Sequence, residues 1–353
     1  MMFYKKLCCK LCMLLSLVTF GVICGKADLA YAQRAVSIPE DYAAQEVKAK
    51  FAANGATLLF SDSPEMVYRN GILYRDTVQG RVRLFFHHVN AVPGKKKLAV
   101  ILKNEKMRPV HYKILRSGVD GMSYDYMRDG KNSQQKYFAE QQKITEGTLG
   151  FDRSAEILSG KGVLLAQDKL LTGTIDLELD KPTQISVLMC EPKSDLAIFN
   201  ESAAIQPMDE HPLRGTFAGS DWHYTLKEPI TGAEPVKLKL AGAEEGYAKG
   251  VDATTNLPAE NYGNYGVVYK VDFTIDSDKP VSFIFNPIGG YFAGYGILES
   301  EGKRKLISIP AYDVALGGTI EEAVELAKLK AGRYSFIWSP PGASNLPVEL
   351  LWR

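Results

Sequence analysis

Two adjacent histidines, His87 and His88, are the residues whose type first suggests metal chemistry. Neighbouring side chains on a strand project to opposite faces, so two such rings cannot hold one ion unless the strand is bulged. Ligand spacing is also missing for the remaining histidines, which are His111, His211 and His223. We therefore expect the paired histidines to be packed or hydrogen-bonded, and the sequence predicts neither a metal site nor a cofactor.

Motifs for nucleophilic catalysis are almost missing from the sequence. The spacing Ser-x-x-Lys, typical of serine acyltransferases of the penicillin-binding type, occurs at 133–136 and at 300–303. The later Ser-Asp-Asn and Lys-Thr-Gly elements of that class do not follow it. The chain also has no Gly-x-Ser-x-Gly elbow, no phosphate-binding loop and no dinucleotide glycine fingerprint after a strand. The sequence therefore predicts no catalytic residue.

Carboxylates are numerous, and a pair held about 5 to 9 Å apart can hydrolyse a glycoside. Asp176, Glu178 and Asp180 share one face of a predicted strand, but they alternate with apolar residues and indicate a solvated surface. Sequence does not fix the distance between two acids. Hydrolysis of an envelope polysaccharide or peptidoglycan by unrecognised carboxylates therefore stays open as the alternative function.

The most distinctive stretch, residues 261–296, is rich in tyrosine beside glycine. Aromatic rings combine a large apolar area with a low entropy cost, which suits contact with sugar rings or extended peptides. The alternation of the stretch assigns Tyr265 and Tyr269 to the core. Turn or glycine-rich surroundings make Tyr262, Tyr291 and Tyr295 the better surface residues. We predict that these three tyrosines contribute to a binding site.

The elements that must position these residues read as strands, because apolar and polar residues alternate with period two. In residues 265–275 the odd positions are apolar or aromatic and the even positions are mostly polar, as in a half-buried antiparallel strand. The same alternation recurs at 110–114, 174–180, 236–240, 333–338 and 348–352. Turn signals separate the strands, with Asn70-Gly71 predicting a hairpin and Pro93-Gly94 and Asp278 to Pro280 predicting further turns.

Helix signals are few. Residues 122–144 predict one or two short helices broken at Gly130, the second one capped by Asn132 or Ser133. Thr319 and Glu322 have the spacing of a capping box, but the residues that follow them also alternate as in a strand. The sequence leaves that choice open.

The sequence predicts a mainly β protein with two antiparallel β-sandwich-like domains. Alternation stops and prolines interrupt the chain across 191–221, which we interpret as a linker. The predicted order is a signal peptide (1–32), an N-terminal lead-in (33–56), a first β-rich domain (57–190), this linker, and a second domain (222–353). The stretch Ser339 to Pro347, rich in proline, predicts a stiff exposed loop where a partner could dock.

Residues 1–32 have the layout of a removable export signal, with lysines first, an apolar run next and Ala30-Tyr31-Ala32 last. Cleavage there leaves Cys190 as the single cysteine, so no intramolecular disulfide is possible. It also removes four lysines and one aspartate, so 42 positive and 41 negative residues become 38 and 40, a net charge of −2. Such a balance argues against nucleic acid as a partner. We expect no transmembrane segment after signal removal.

Arg83 to Asn90, Leu98 to Asn104 and Gly263 to Tyr269 resemble exported envelope proteins of Firmicute-type bacteria. Some members of that group carry a copper amine oxidase N-terminal, or stalk, domain. This chain has Asn-Tyr-Gly at 261 and 264 and adjacent histidines where oxidase chemistry needs Asn-Tyr-acid and His-x-His. No oxidase residue therefore carries over, and the resemblance implies a secreted or envelope β-protein of unassigned role.

We expect a secreted or extracytoplasmic protein, at the cell surface or in the periplasm, with a non-catalytic binding or structural role. Its expected partner is a cell-wall glycan or another envelope protein.

Overall fold

Strands dominate the part of the chain that the computed structural model describes, which is residues 33–319 and 321–353. The predicted signal peptide lies outside these residues. The described residues form 24 strands and two helices, α1 (Tyr126–Phe138) and α2 (Leu196–Ser202). The prediction of a mainly β, sandwich-like fold with short helices is confirmed. Neither helix is long and apolar enough to cross a membrane.

The strands of residues 33–190 are β1 (Arg34–Ser37), β2 (Gln45–Glu46), β3 (Ala49–Asn54), β4 (Thr57–Ser61), β5 (Met66–Val67), β6 (Gly71–Asn90), β7 (Lys96–Lys103), β8 (Val110–Gly121), β9 (Thr145–Leu149), β10 (Ser154–Glu156), β11 (Val163–Leu165) and β12 (Leu170–Cys190). Those that follow are β13 (Arg214–Phe217), β14 (Asp221–Leu226), β15 (Val236–Leu240), β16 (Ala248–Asp252), β17 (Leu257–Asn261), β18 (Val268–Ile275), β19 (Val281–Asn286), β20 (Gly294–Ser300), β21 (Lys303–Ile309), β22 (Glu322–Leu329), β23 (Gly332–Trp338) and β24 (Val348–Trp352).

These strands form three sheets, and antiparallel pairing dominates. Sheet A has the order β1-β22-β19-β24-β15-β2, and sheet B has the order β21-β20-β23-β18-β14-β3. Sheet C has twelve strands on the path β10-β7-β12-β6-β4-β13-β16-β17, with β5, β8, β9 and β11 paired beside it. The long strands β6 and β12 pair along most of their length and set the register of sheet C.

Two apolar cores hold the sheets together. The larger core joins the inner faces of sheets A and B to one face of sheet C, through aromatic residues such as Phe60, Tyr269, Phe283 and Trp338. The second core lies on the other face of sheet C, where β6, β7 and β12 turn their aliphatic residues toward one another. Alternation along β6 places Phe85 in the larger core and Leu84 and Phe86 in the second, whereas β12 contributes residues such as Ile175 and Leu177 to the second core.

Most predicted strands are present, and the turns at Pro93-Gly94 and Asp278 to Pro280 do separate neighbouring strands. The hairpin predicted at Asn70-Gly71 is wrong. Met66 pairs in parallel with Val89 at the far end of β6, instead of folding back onto Ile72. Neither Asn70 nor Gly71 has the positive φ that a two-residue hairpin turn requires.

The prediction of helix within residues 122–144 is correct, but the predicted break at Gly130 is wrong. One continuous helix, α1, runs through Gly130, and Asp125 caps its start by accepting a hydrogen bond from the Arg128 N–H. Glycine is required at position 130 of this helix, because the Cβ of any other residue would collide with the carbonyl oxygen of Gly342. The residues after Thr319, which the sequence left open, form strand β22.

The loop predicted to be exposed, Ser339 to Pro347, is mostly buried instead. Gly342 packs against α1 and the ring of His87, and Ser344 accepts a hydrogen bond through its carbonyl oxygen from the Tyr265 hydroxyl. A loop so covered does not offer the predicted docking surface.

The two-domain division stays a prediction. Residues 33–56, predicted as a lead-in, contribute β1 to sheet A and β3 to sheet B. Strand β13, which lies within the predicted linker, and strands β16 and β17, which follow it, are hydrogen-bonded into sheet C. Residues 33–353 form one compact unit.

Candidate functional site

A cavity of about 500 Å³ opens between sheet C and the outer face of sheet B, the face turned away from the larger core. We call it the cationic cleft, because five cationic side chains and only two carboxylates line it. The cations are Arg81, Arg83, Arg116, Lys270 and Arg304, and the carboxylates are Asp176 and Asp221. Apolar side chains, which include Leu115, Phe138, Val268, Ile297 and Ile337, form the rest of the wall.

Strand alternation explains how β6 supplies two of these cations. Val82 and Leu84 point into the second core, so Arg81 and Arg83 point to the opposite face of the sheet. Arg83 lies deeper and is buried, whereas Arg81 is exposed at the mouth. One strand thus provides an anchored cation and an accessible one, two residues apart.

The buried Arg83 fixes the floor of the cleft. Its Nε lies 2.8 Å from Oδ1 of Asp176, and its Nη2 lies 3.3 Å from Oδ2 of the same carboxylate. Its Nη1 donates to the carbonyl oxygen of Ser220 at 3.1 Å and lies 2.9 Å from Oδ1 of Asp221, an ion pair without hydrogen-bond alignment. Bidentate contact with a carboxylate makes this a specific and strong arrangement.

Arg116 is held in place by Tyr137 of helix α1. Its Nη1 donates to the Tyr137 carbonyl oxygen at 2.9 Å, and its guanidinium lies 5.4 Å from the centre of the Tyr137 ring. The Tyr137 hydroxyl in turn donates to Asp176 at 2.9 Å. Among the residues that the structure describes, neither Arg116 nor Arg81 has a carboxylate within ion-pair distance. These two guanidinium groups therefore remain available to an anion.

The sheet B side of the cleft is more nearly neutral. Lys270 lies 3.5 Å from Asp272, and Arg304 lies 3.4 Å from Glu299. His223 places Nε2 2.5 Å from Oδ2 of Asp272. Burial raises the pKa of Asp272, but hydrogen bonds from Ser335 and His223 together with the charges of Lys270 and His223 lower it by more, so this carboxyl stays ionised near neutral pH. The uncompensated positive charge is therefore concentrated at Arg81 and Arg116.

A cavity of about 780 Å³, which we call the acidic cavity, lies elsewhere and is lined by Glu65, Asp209 and His211 among others. The Asp209 carboxylate accepts hydrogen bonds from the Ser63 hydroxyl at 2.7 Å and from the Glu65 N–H at 2.8 Å. Burial and the charge of Asp209 raise the pKa of Glu65. A carboxyl with a raised pKa thus lies beside a second carboxylate that hydrogen bonds hold in place, an arrangement that general acid–base chemistry can use.

The paired histidines behave as the strand argument predicts. His88 points into the second core. Its Nε2 shares a hydrogen bond with the Ser61 hydroxyl at 2.8 Å, and its Nδ1 contacts the Pro64 carbonyl oxygen. His87 lies on the other face, 3.0 Å from the Thr172 hydroxyl. Burial lowers the pKa of His87 to about 3 and that of His88 to about 4, so both rings are neutral at physiological pH.

The three tyrosines predicted as a binding site occupy different surroundings. Tyr262 is 49% exposed and packs edge-on against Tyr247, with 5.4 Å between ring centres. Tyr291 is 57% exposed and lies beside Gly318. Tyr295 is half-buried and packs with the end of α1. None of them lines the cationic cleft, and their role in binding stays a prediction.

Sequence reasoning missed Arg81 and Arg116. A signal for Arg81 was present, because Arg81 and Arg83 alternate with Val82 and Leu84. No comparable signal existed for Arg116, since a register shift between Asp176 and Leu177 brings it opposite Asp176. Such an irregularity in one strand pair is not readable from composition or periodicity.

Comparisons with known proteins give no family. No protein-family model and no curated protein matches the chain. Among solved structures, a Lactobacillus farciminis oxalate decarboxylase formate complex aligns over 85% of this chain and 86% of its own, with 9% identity and a TM-score of 0.16. Streptomyces albus HEPD, with 2-hydroxyethylphosphonate and Fe(II) bound, aligns over 92% and 76%, with 9% identity and a TM-score of 0.14. Scores this low support no argument about fold or function.

Proposed function

We propose that this protein is a secreted or cell-envelope binding protein, and that the cationic cleft holds an anionic group of a cell-wall glycan. The observation that carries the proposal is the pair of guanidinium groups, Arg81 and Arg116, that face the cleft with no carboxylate partner among the described residues. Guanidinium groups bind carboxylates and phosphates through charge-assisted hydrogen bonds. The export pattern of residues 1–32 supports the location.

The rigid surroundings of the cleft favour binding over catalysis. Both lining carboxylates, Asp176 and Asp221, contact Arg83, and these contacts hold its guanidinium group in the floor of the cleft. Tyr137 braces Arg116 before any ligand arrives, which lowers the entropy cost of binding. Apolar residues such as Phe138 and Ile297 line the same cavity and can cover the carbon face of a sugar ring.

A glycan array probed with the purified protein tests this proposal. We expect retention on glycans that carry carboxylate or phosphate groups and none on their neutral counterparts. The double variant Arg81→Ala/Arg116→Ala loses two charged contacts of roughly 1.5–3 kcal/mol each, so its binding falls at least about 100-fold. The matched control is Arg108→Ala, which removes an exposed arginine outside the cleft. Binding to neutral glycans alone, or equal binding by the double variant, would refute the proposal.

The acidic cavity supports a second candidate, hydrolysis of an envelope polysaccharide or peptidoglycan. Glu65, whose pKa is raised, would donate a proton to the leaving group, and Asp209 would act as the carboxylate partner. Release of reducing sugars from a wall polymer by the protein, abolished in both Glu65→Gln and Asp209→Asn, would establish this activity. An unchanged polymer after incubation with the wild-type protein would exclude it for that substrate.

A further inference from the structure

The outer face of sheet B carries a second compartment of about 740 Å³, and its lining shares Arg304 with the cationic cleft. On each of three strands, one residue lines the cleft, and the residue two positions away lines the second compartment. The pairs are Lys270 and Asp272 on β18, Ile337 and Ser335 on β23, and Ile297 and Glu299 on β20. The two compartments are therefore successive steps along one sheet face.

Strand geometry gives the length of each step. Residues i and i+2 point to the same face and lie about 7 Å apart along a strand. Because the three strands step together, the cleft and the second compartment form one groove that runs along the strand direction. The chain follows the same course where it leaves α1, with Phe138 lining the cleft and Glu140 lining the second compartment.

The chemistry of the groove changes along its length. The cleft has an excess of cations, whereas the second compartment has four carboxylates and three cations, among them Glu140, Glu301 and Arg333. Interspersed carboxylates and guanidinium groups offer acceptors and donors side by side, which suits hydroxyl groups better than a further net charge.

From this arrangement we infer that the ligand is an extended acidic oligosaccharide, with an acidic sugar in the cleft and its neutral neighbours in the second compartment. The inference rests on the proposed function, because it needs an anion at Arg81 and Arg116. An extended peptide is disfavoured, because the groove follows a sheet face, whereas peptides that add a strand bind at a sheet edge.

Calorimetric titration with glucuronate and with a hyaluronan hexasaccharide, which repeats the same acid with a neutral sugar, tests the inference. We expect the hexasaccharide to bind roughly tenfold more tightly than glucuronate, since several hydroxyl hydrogen bonds are added. The variant Glu140→Gln/Arg333→Ala should lose that gain and keep its affinity for glucuronate. Both residues are exposed, and neither forms an ion pair in the part of the chain that the structure describes.

The outcomes separate the two proposals. Glucuronate binding without a gain for the hexasaccharide, or a gain that survives in the variant, would overturn the inference and leave the proposed function intact. Failure of the wild-type protein to bind either compound, together with no retention on phosphate-bearing glycans of the array, would overturn both. A hexaglutamate peptide that binds more tightly than the hexasaccharide would show that the groove takes a peptide instead.

Discussion

Replacement of Arg83 by methionine tests whether the buried ion pairs hold the floor of the cleft. Methionine keeps much of the length of the side chain and removes its charge and all its donors. The variant Arg83→Met leaves Asp176 at 14% exposure and Asp221 at 30% exposure without their cation. Breaking a buried pair from one side typically costs about 3–5 kcal/mol.

The surroundings of the two carboxylates place the expected cost at the lower end of that range. Asp176 keeps the hydrogen bond from the Tyr137 hydroxyl at 2.9 Å, and Asp221 is close enough to water to recover part of its hydration. We expect the free energy of unfolding to fall by about 3 kcal/mol. The triple variant Arg83→Met/Asp176→Asn/Asp221→Asn removes the stranded charges as well and should recover at least about 1 kcal/mol of that loss.

Urea unfolding at pH 7, followed by tryptophan fluorescence, measures these differences from the midpoint and the slope. The control Arg108→Met changes an exposed arginine and should stay within about 0.5 kcal/mol of the wild type. A cost below about 1 kcal/mol for Arg83→Met, or a triple variant as unstable as the single one, would refute the role given to these ion pairs.

Three further predictions concern groups buried in the cores. Burial raises the pKa of Glu245 to about 7, although it accepts hydrogen bonds from Tyr224 and Tyr269; its contribution to stability is therefore full below about pH 4.5 and declines as the pH rises to 7. The variant Glu245→Gln should flatten that decline, by up to about 3 kcal/mol in pH-dependent urea unfolding; an unchanged slope would contradict the assignment. His88 has its pKa lowered to about 4, so its contribution is full above pH 6.5 and is lost as the pH falls toward 4; His88→Gln should make acid unfolding less steep by the same measurement. Burial raises the pKa of Cys190, so a thiol reagent at pH 7 should label it only after unfolding, and rapid labelling of the folded protein would show an accessible thiol.

Alternation predicted the strands well because it records burial directly. Val348 to Trp352 and Thr174 to Asp180 lie in strands as their patterns require. Pairing between strands was harder, because a local turn signal at Asn70-Gly71 could not compete with the long-range match of β6 to β12. Strands β6 and β12 are about a hundred residues apart in sequence, and no local pattern indicates that they pair.

The site was less predictable than the fold for the same reason. Arg81 and Arg116 are far apart in sequence and reach one cleft only through the register of β6, β12 and β8. The sequence instead predicted exposed tyrosines such as Tyr262, because aromatic rings beside glycine suit contact with a ligand. A cation that lacks a partner becomes visible only when the positions of all neighbouring carboxylates are known.

A crystal structure of the protein with bound glucuronate tests the central claim most directly. We predict that the ligand carboxylate lies about 3 Å from the guanidinium nitrogens of both Arg81 and Arg116, inside the cationic cleft. Glucuronate bound beside Tyr262 or in the acidic cavity, with the cleft left without ligand, would contradict the claim.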